Sequence, residues 1–138
     1  MGPMTAPPPH GEASVALELP AEAASVARAR RAVGEIAHRA GASVDHVRLA
    51  VSEAVSNSVL HAFRDRQPGR IVVSARSHPE RLVVVVADDG IGMTPNLHSD
   101  GLGAGLSLIT QVAVDVHFDS SEQGTTVTMS FVTASQAR

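Results

Sequence analysis

Along the chain the spacing of apolar residues changes from segment to segment, and each change marks an element. Residues 82–87, Leu-Val-Val-Val-Val-Ala, are wholly apolar and mostly β-branched. That pattern predicts a strand covered on both faces. It stops abruptly at Asp88-Asp89-Gly90-Ile91-Gly92. Residues 71–75 predict a second strand, and the polar stretch 76–81, with His78 and Pro79 at its tip, predicts the hairpin joining the two. Residues 15–19 predict a short first strand stopped by Pro20. Helical spacing takes over in residues 21–39, where Ala29, Val33, Ile36, Ala37 and Ala40 form one apolar stripe and Gly41 supplies a stop. Arg28, Arg30, Arg31 and Arg39 lie off that stripe, as a solvated face or a partner-binding one. Ser43 caps a second helix predicted over residues 44–63, with Val47, Val51, Ala54 and Ser58 on its core side. Residues 101–105 are glycine-rich and run into an apolar helical pattern ending near Ala113. Residues 114–118 and 126–132 predict the last two strands, with a turn over 119–123.

Composition narrows the chemistry. A chain of 138 residues is the size of one domain. Residues 1–12 carry four prolines and two glycines and predict a disordered tail; residues 13–133 form the domain, and 134–138 a frayed end. Net charge is −3 and there is no basic run, which argues against a nucleic-acid partner. All 11 basic residues are Arg, so P-loop lysine and Schiff-base chemistry are excluded. There is no Cys, hence no disulfide, thiolate nucleophile or cysteine zinc site. No apolar run approaches membrane-spanning length and no signal-peptide pattern opens the chain, so the expected location is the cytoplasm.

Three segments carry candidate chemistry. Asp88 puts a carboxylate at the end of a strand, and Gly90 and Gly92 let backbone approach a ligand closely. A carboxylate only accepts hydrogen bonds, so it suits a ligand presenting N–H groups, such as an adenine amino group; the bland alternative is an ordinary Asp-Gly turn. Glu53 and Asn57 stand four apart on the second helix, with His61 one turn on. Their oxygens suit Mg²⁺ or an ordered water, against the plainer alternative of a polar helix edge. Gly101, Gly103 and Gly105 precede a helix, where free N–H groups favour phosphate; a flexible connector is the other option. The intervening residues 94–100 have the composition of a loop that covers a site. Gly124-Thr125-Thr126 opens the last strand, its hydroxyls facing a phosphate or simply favouring β structure.

Taken in order, Glu53-x-x-x-Asn57, Asp88-x-Gly90-x-Gly92, the Gly101/Gly103/Gly105 loop and Gly124-Thr125-Thr126 resemble the GHKL superfamily of ATP-binding domains. Within it the chain looks most like the anti-sigma-factor serine/threonine kinases, on the phrase Leu49-Ala50-Val51-Ser52-Glu53-Ala54-Val55-Ser56-Asn57-Ser58-Val59-Leu60-His61-Ala62-Phe63, the opening Leu17-Glu18-Leu19-Pro20 and the closing Gly-Thr-Thr-Val. The resemblance spans about residues 14–132. It implies an α/β domain, an α+β two-layer sandwich of the Bergerat type, with a mixed, mostly antiparallel sheet and helices on one face. It also implies bound ATP and Mg²⁺. Asp88 then holds the adenine amino group, Asn57 coordinates Mg²⁺ and Glu53 is the general base. Gly90 and Gly92 admit base and sugar, Gly101, Gly103, Gly105 and Leu106 surround phosphates, and Thr125 assists beside the nucleotide. The family often has a compact Gly-Leu-Gly-Leu loop. Here Ala104-Gly105-Leu106 follows Gly101-Leu102-Gly103, which leaves either glycine pair as the phosphate contact.

The implied function is phosphorylation of an anti-anti-sigma factor and regulation of a sigma factor by a homodimer. The competing function is a nucleotide-gated partner switch without kinase activity. A detached histidine-kinase catalytic domain is a third option, disfavoured because 138 residues leave no room for a phosphoacceptor dimerisation domain.

Overall fold

The computed structural model describes residues 13–62, 69–89, 107–121 and 123–133, with side chains 61 and 62 excepted. Its elements run β1 (Ser14–Pro20), α1 (Ala24–Ala40), α2 (Val44–Asn57), a π-helical turn (Ser58–Ala62), β2 (Arg70–Ser77), β3 (Arg81–Asp88), β4 (Asp115–Ser121) and β5 (Gly124–Val132). A further helical segment covers 107–112. The tail 1–12, Gly90, Gly92, the loop 94–100, Gly101, Gly103, Gly105, Leu106 and the end 134–138 lie outside the described residues.

The five strands form one sheet in the order β1-β2-β3-β5-β4. Every described ladder is antiparallel, in keeping with the expected, mostly antiparallel sheet. The expected two-sided cover of residues 82–87 is corrected. Along β3, Leu82, Val84, Val86 and Asp88 are buried, while Val83, Val85 and Ala87 are only half-buried. Both α1 and α2 pack on the face of the even-numbered residues, and the period-2 pleat sends the odd ones the other way. The apolar run in the sequence hid that difference, because both faces of the strand carry valine.

α1 buries Ala29, Val33, Ile36 and Ala37 as its stripe predicts. Arg28, Arg31 and Arg39 are exposed. The helix starts later than expected, without a side-chain cap at Ala23; instead the Ser25 hydroxyl donates to the Pro20 carbonyl at 2.6 Å, tying its first turn to the end of β1. Pro20 is itself the last residue of β1 and does not stop the strand before it. It pairs with Arg70 from an edge strand, where a missing N–H is tolerated. Gly41, at φ 79°, turns the chain out of α1, and the Ser43 hydroxyl accepts from the His46 N–H to open α2.

The core lies between the two helices and the sheet. Leu19, Ile71, Leu82, Ile109 and Met129 are its largest fully buried side chains, with valines of α1, α2, β2 and β3 filling the rest. β4 runs on to Ser121, through part of the expected turn, and β5 begins at Gly124. Gly124 adopts φ 141°, and a Cβ built there falls 2.0 Å from the Asp88 carbonyl oxygen. Only glycine lets β5 start against the last residue of β3. No described helix is long and apolar enough to cross a membrane.

Two predictions follow from this packing. Leu82→Ala removes a fully buried side chain and is expected to lower stability by about 2–5 kcal/mol, whereas Val72→Ala, 43% exposed, changes it by less than about 0.5 kcal/mol. Urea denaturation of both variants checks the contrast. Gly124→Ala must shift backbone at the β3–β5 junction and is expected to cost about 1–3 kcal/mol. A wild-type urea midpoint for that variant means the junction yields without strain.

Candidate functional site

The site is assembled where the end of α2, the end of β3 and the start of β5 meet. β3 and β5 are neighbours inside the sheet, and their register places Asp88 directly opposite Thr125. Each residue is the polar end of an apolar row: Leu82, Val84, Val86, then Asp88 on one strand, and Phe131, Met129, Val127, then Thr125 on the other. The pleat that buries those rows also turns Asp88 and Thr125 under the helices, leaving them 9% and 2% exposed.

α2 supplies the other wall. Val47, Val51 and Ala54 are buried, and Asn57 ends the α-helix at 8% exposure. Glu53, one turn earlier, is half-buried. The predicted helix to residue 63 does not run on as an α-helix: from Ser58 to Ala62 it widens into a π-helical turn. Such turns are rare and recur at functional sites. Ser58, first in that turn, is 4% exposed, and its hydroxyl donates to Asp88 Oδ2 at 2.8 Å. A serine inside a helix often bonds back to its own backbone. This one reaches a carboxylate thirty residues away.

The sequence placed Ser58 in the core and missed this role. A signal was present, because a polar residue on an otherwise apolar stripe needs a partner once buried. Two further residues were missed. Gly124 makes the close β3–β5 junction possible, and Ser120 on β4 shares a hydrogen bond with Thr125 through hydroxyl oxygens 3.2 Å apart.

The adjacent carboxylate does a different job. Asp89 is exposed; its Oδ1 accepts from the Arg70 N–H at 3.1 Å and clips the chain leaving β3 onto the start of β2. The Arg70 guanidinium in turn meets Glu18 Oε2 at 2.6 Å. With side chains 61% and 59% exposed, that pair contributes about 0–1 kcal/mol. A surface cavity of about 610 Å³ opens beside it, lined by Glu18, Leu19, Pro20, Gly69, Arg70 and Asp89. Its described walls include none of Glu53, Asn57, Asp88 or Thr125.

The structure thus gathers Asn57, Asp88 and Thr125 as buried polar groups at one end of the two layers, with Glu53 at the rim. The Ser58–Asp88 hydrogen bond ties the end of β3, with its acceptor-only carboxylate, to the end of the helix that carries a buried amide at Asn57 and a half-exposed carboxylate one turn earlier at Glu53. That set can accept a donor from a base, offer an oxygen to a cation and take a proton. Among the described residues, no group of three or more His, Asp or Glu side chains could hold a metal ion.

Residues 19–131 match the family model described as a histidine kinase-like ATPase domain, a span that contains all of these positions. The serine-protein kinase RsbW of Listeria innocua is 39% identical over 79 residues, covering 55% of this chain and 50% of that protein. The chain therefore spans half the length of that relative. The anti-sigma F factor of Clostridium novyi is 31% identical over 98 residues, covering 62% of this chain and 68% of that protein. Among solved structures, the RsbU and RsbW domains of Rv1364c from Mycobacterium tuberculosis superpose with a TM-score of 0.69 at 21% identity, over 88% of this chain and 33% of that one. The histidine kinase domain of the Erythrobacter litoralis EL346 blue-light activated kinase gives 0.58 at 25% identity, over 86% of this chain and 63% of that one. One antiparallel sheet covered by helices on a single face, with a buried carboxylate at the end of its third strand, is thus the form taken here by a chain that belongs to the histidine kinase-like ATPase domain family.

Proposed function

We propose that this protein is an ATP-dependent serine/threonine kinase that phosphorylates an anti-anti-sigma factor and, as an anti-sigma factor, holds a sigma factor. The observation that carries the reading is the buried Asp88 carboxylate, hydrogen-bonded to Ser58 at the end of the helix that carries Glu53 and Asn57. The similarity to RsbW and to an anti-sigma F factor supports the partner classes.

In this reading Asp88 accepts the adenine amino group. The Asn57 amide oxygen would hold Mg²⁺. When bound, that ion would supply neutralisation of the charge on the transferring phosphoryl group. By resemblance, Gly90 and Gly92 would admit base and sugar and the 101–106 segment would serve phosphate, positions that lie outside the described residues. Glu53 receives the proton of the incoming serine hydroxyl. That oxygen bonds to the γ-phosphorus, the bond to the β–γ bridging oxygen breaks, and ADP departs. Glu53 is half-buried at the rim, within reach of a protein acceptor, whereas Asp88 and Asn57 face inward.

Asp88→Asn replaces the acceptor-only group with one that also donates. ATP affinity is expected to fall by about one to two decades, read by calorimetry. Unchanged affinity would remove Asp88 from the site. Glu53→Ala is expected to bind ATP nearly as well as the parent while phosphoryl transfer falls about 10²–10⁴-fold. The assay uses labelled ATP and a panel of purified anti-anti-sigma proteins. Transfer at the parental rate sinks the base assignment. If the parent protein binds ATP yet phosphorylates no member of the panel, the partner-switch function replaces the kinase.

A further inference from the structure

We propose that Ser58 sets the purine selectivity of this site by fixing the plane of the Asp88 carboxylate. The inference rests on the nucleotide-binding reading above and adds a residue that decides which base is accepted.

A carboxylate at the end of a strand has no intrinsic orientation, because the terminal torsion of Asp is broad and nearly two-fold. Its ability to tell one purine from another depends on where its oxygens point. A 6-amino purine presents N–H donors at C6 and an acceptor at N1. A 6-oxo purine presents the reverse, an acceptor at C6 and N–H at N1. A carboxylate whose accepting oxygen faces C6 favours the first and repels the second. If the group swings by a few tens of degrees, it meets the N1 hydrogen of the 6-oxo base and the distinction fades.

Ser58 supplies the restraint. Its hydroxyl holds Asp88 Oδ2 at 2.8 Å in a buried setting, where a hydrogen bond to a charged acceptor is strong. The serine is itself held. Its backbone N–H donates to the carbonyls of Ala54 and Val55, and the π-helical turn begins at this residue. The carboxylate is further hemmed in by its cross-strand neighbours, Ile71 on β2 and Thr125 on β5. Ser58 does not act on the reaction; it positions the group that reads the base.

Calorimetry with the full chain compares MgATP with MgITP, whose hypoxanthine carries the 6-oxo group. The parent is expected to prefer ATP by at least about tenfold. Ser58→Ala is expected to shrink that ratio by about tenfold, Ser58→Thr to keep it, and Ser58→Cys, a weaker donor, to fall between. A merely structural role would weaken both nucleotides together and leave the ratio unmoved; that result in Ser58→Ala overturns the proposal. If Ser58→Ala does not fold, a parental ratio in Ser58→Cys overturns it instead. A parent that binds ATP and ITP equally also overturns it while leaving the kinase reading standing. A parent that binds neither nucleotide sinks the kinase reading itself.

Discussion

Helices α1 and α2 cover only one face of an antiparallel sheet, and the placement of the site follows from that one-sidedness. A strand alternates its side chains strictly, so choosing which face is covered decides the direction of every residue on it. Once Leu82, Val84 and Val86 face the helices, Asp88 must follow them inward and Asp89 must turn to solvent. The same parity along β5 carries Phe131, Met129 and Val127 to Thr125. Two apolar rows therefore end in two polar residues set side by side, and the hydrophobic core aims the candidate chemistry.

A buried carboxylate beneath apolar helices is costly unless it is partnered. The end of α2 meets that cost by changing its winding. Asn57 closes the α-helix, Ser58 opens the π turn, and both are buried. The Ser58 hydroxyl crosses from the helical layer to the sheet. Asp89, one residue on, uses its carboxylate on the backbone of Arg70 at the other side of the strand. Adjacent aspartates thus divide the work: one faces the interior as an acceptor, the other clips the chain to β2. The glycine at the start of β5 completes the junction, because any Cβ there would overlap the Asp88 carbonyl.

The outer face of the sheet has a different character. Val83, Val85 and Ala87 of β3 sit beside Val72 of β2 and Thr126, Thr128 and Ser130 of β5. Val72 is 43% exposed, and the other two valines are only half-covered. Antiparallel sheets tolerate one solvated face, but valines on both sides of β3 give that strand a less contrasted pattern than the usual alternation.

Local periodicity in the sequence was enough to determine the elements and their order. Spacings of three and four along α1 and α2, and β-branched runs in β2 and β3, depend on near neighbours, so they could be read directly. The position of Asp88 at a strand end and of Asn57 one turn after Glu53 is likewise a matter of spacing. What the tertiary structure alone decided are relations between distant residues. Which face of residues 82–87 is covered depends on where α1 and α2 dock, and the four consecutive valines at 83–86 conceal it. Pro20 belongs to β1 because that strand lies at the edge of the sheet, where no neighbour needs its missing N–H. Ser58 looked like one more core position until Asp88, thirty residues later, became its partner. Gly124 shows its necessity only when the end of β3 is laid against it. Contacts at such separation are fixed by packing of whole layers, and no short-range pattern carries them.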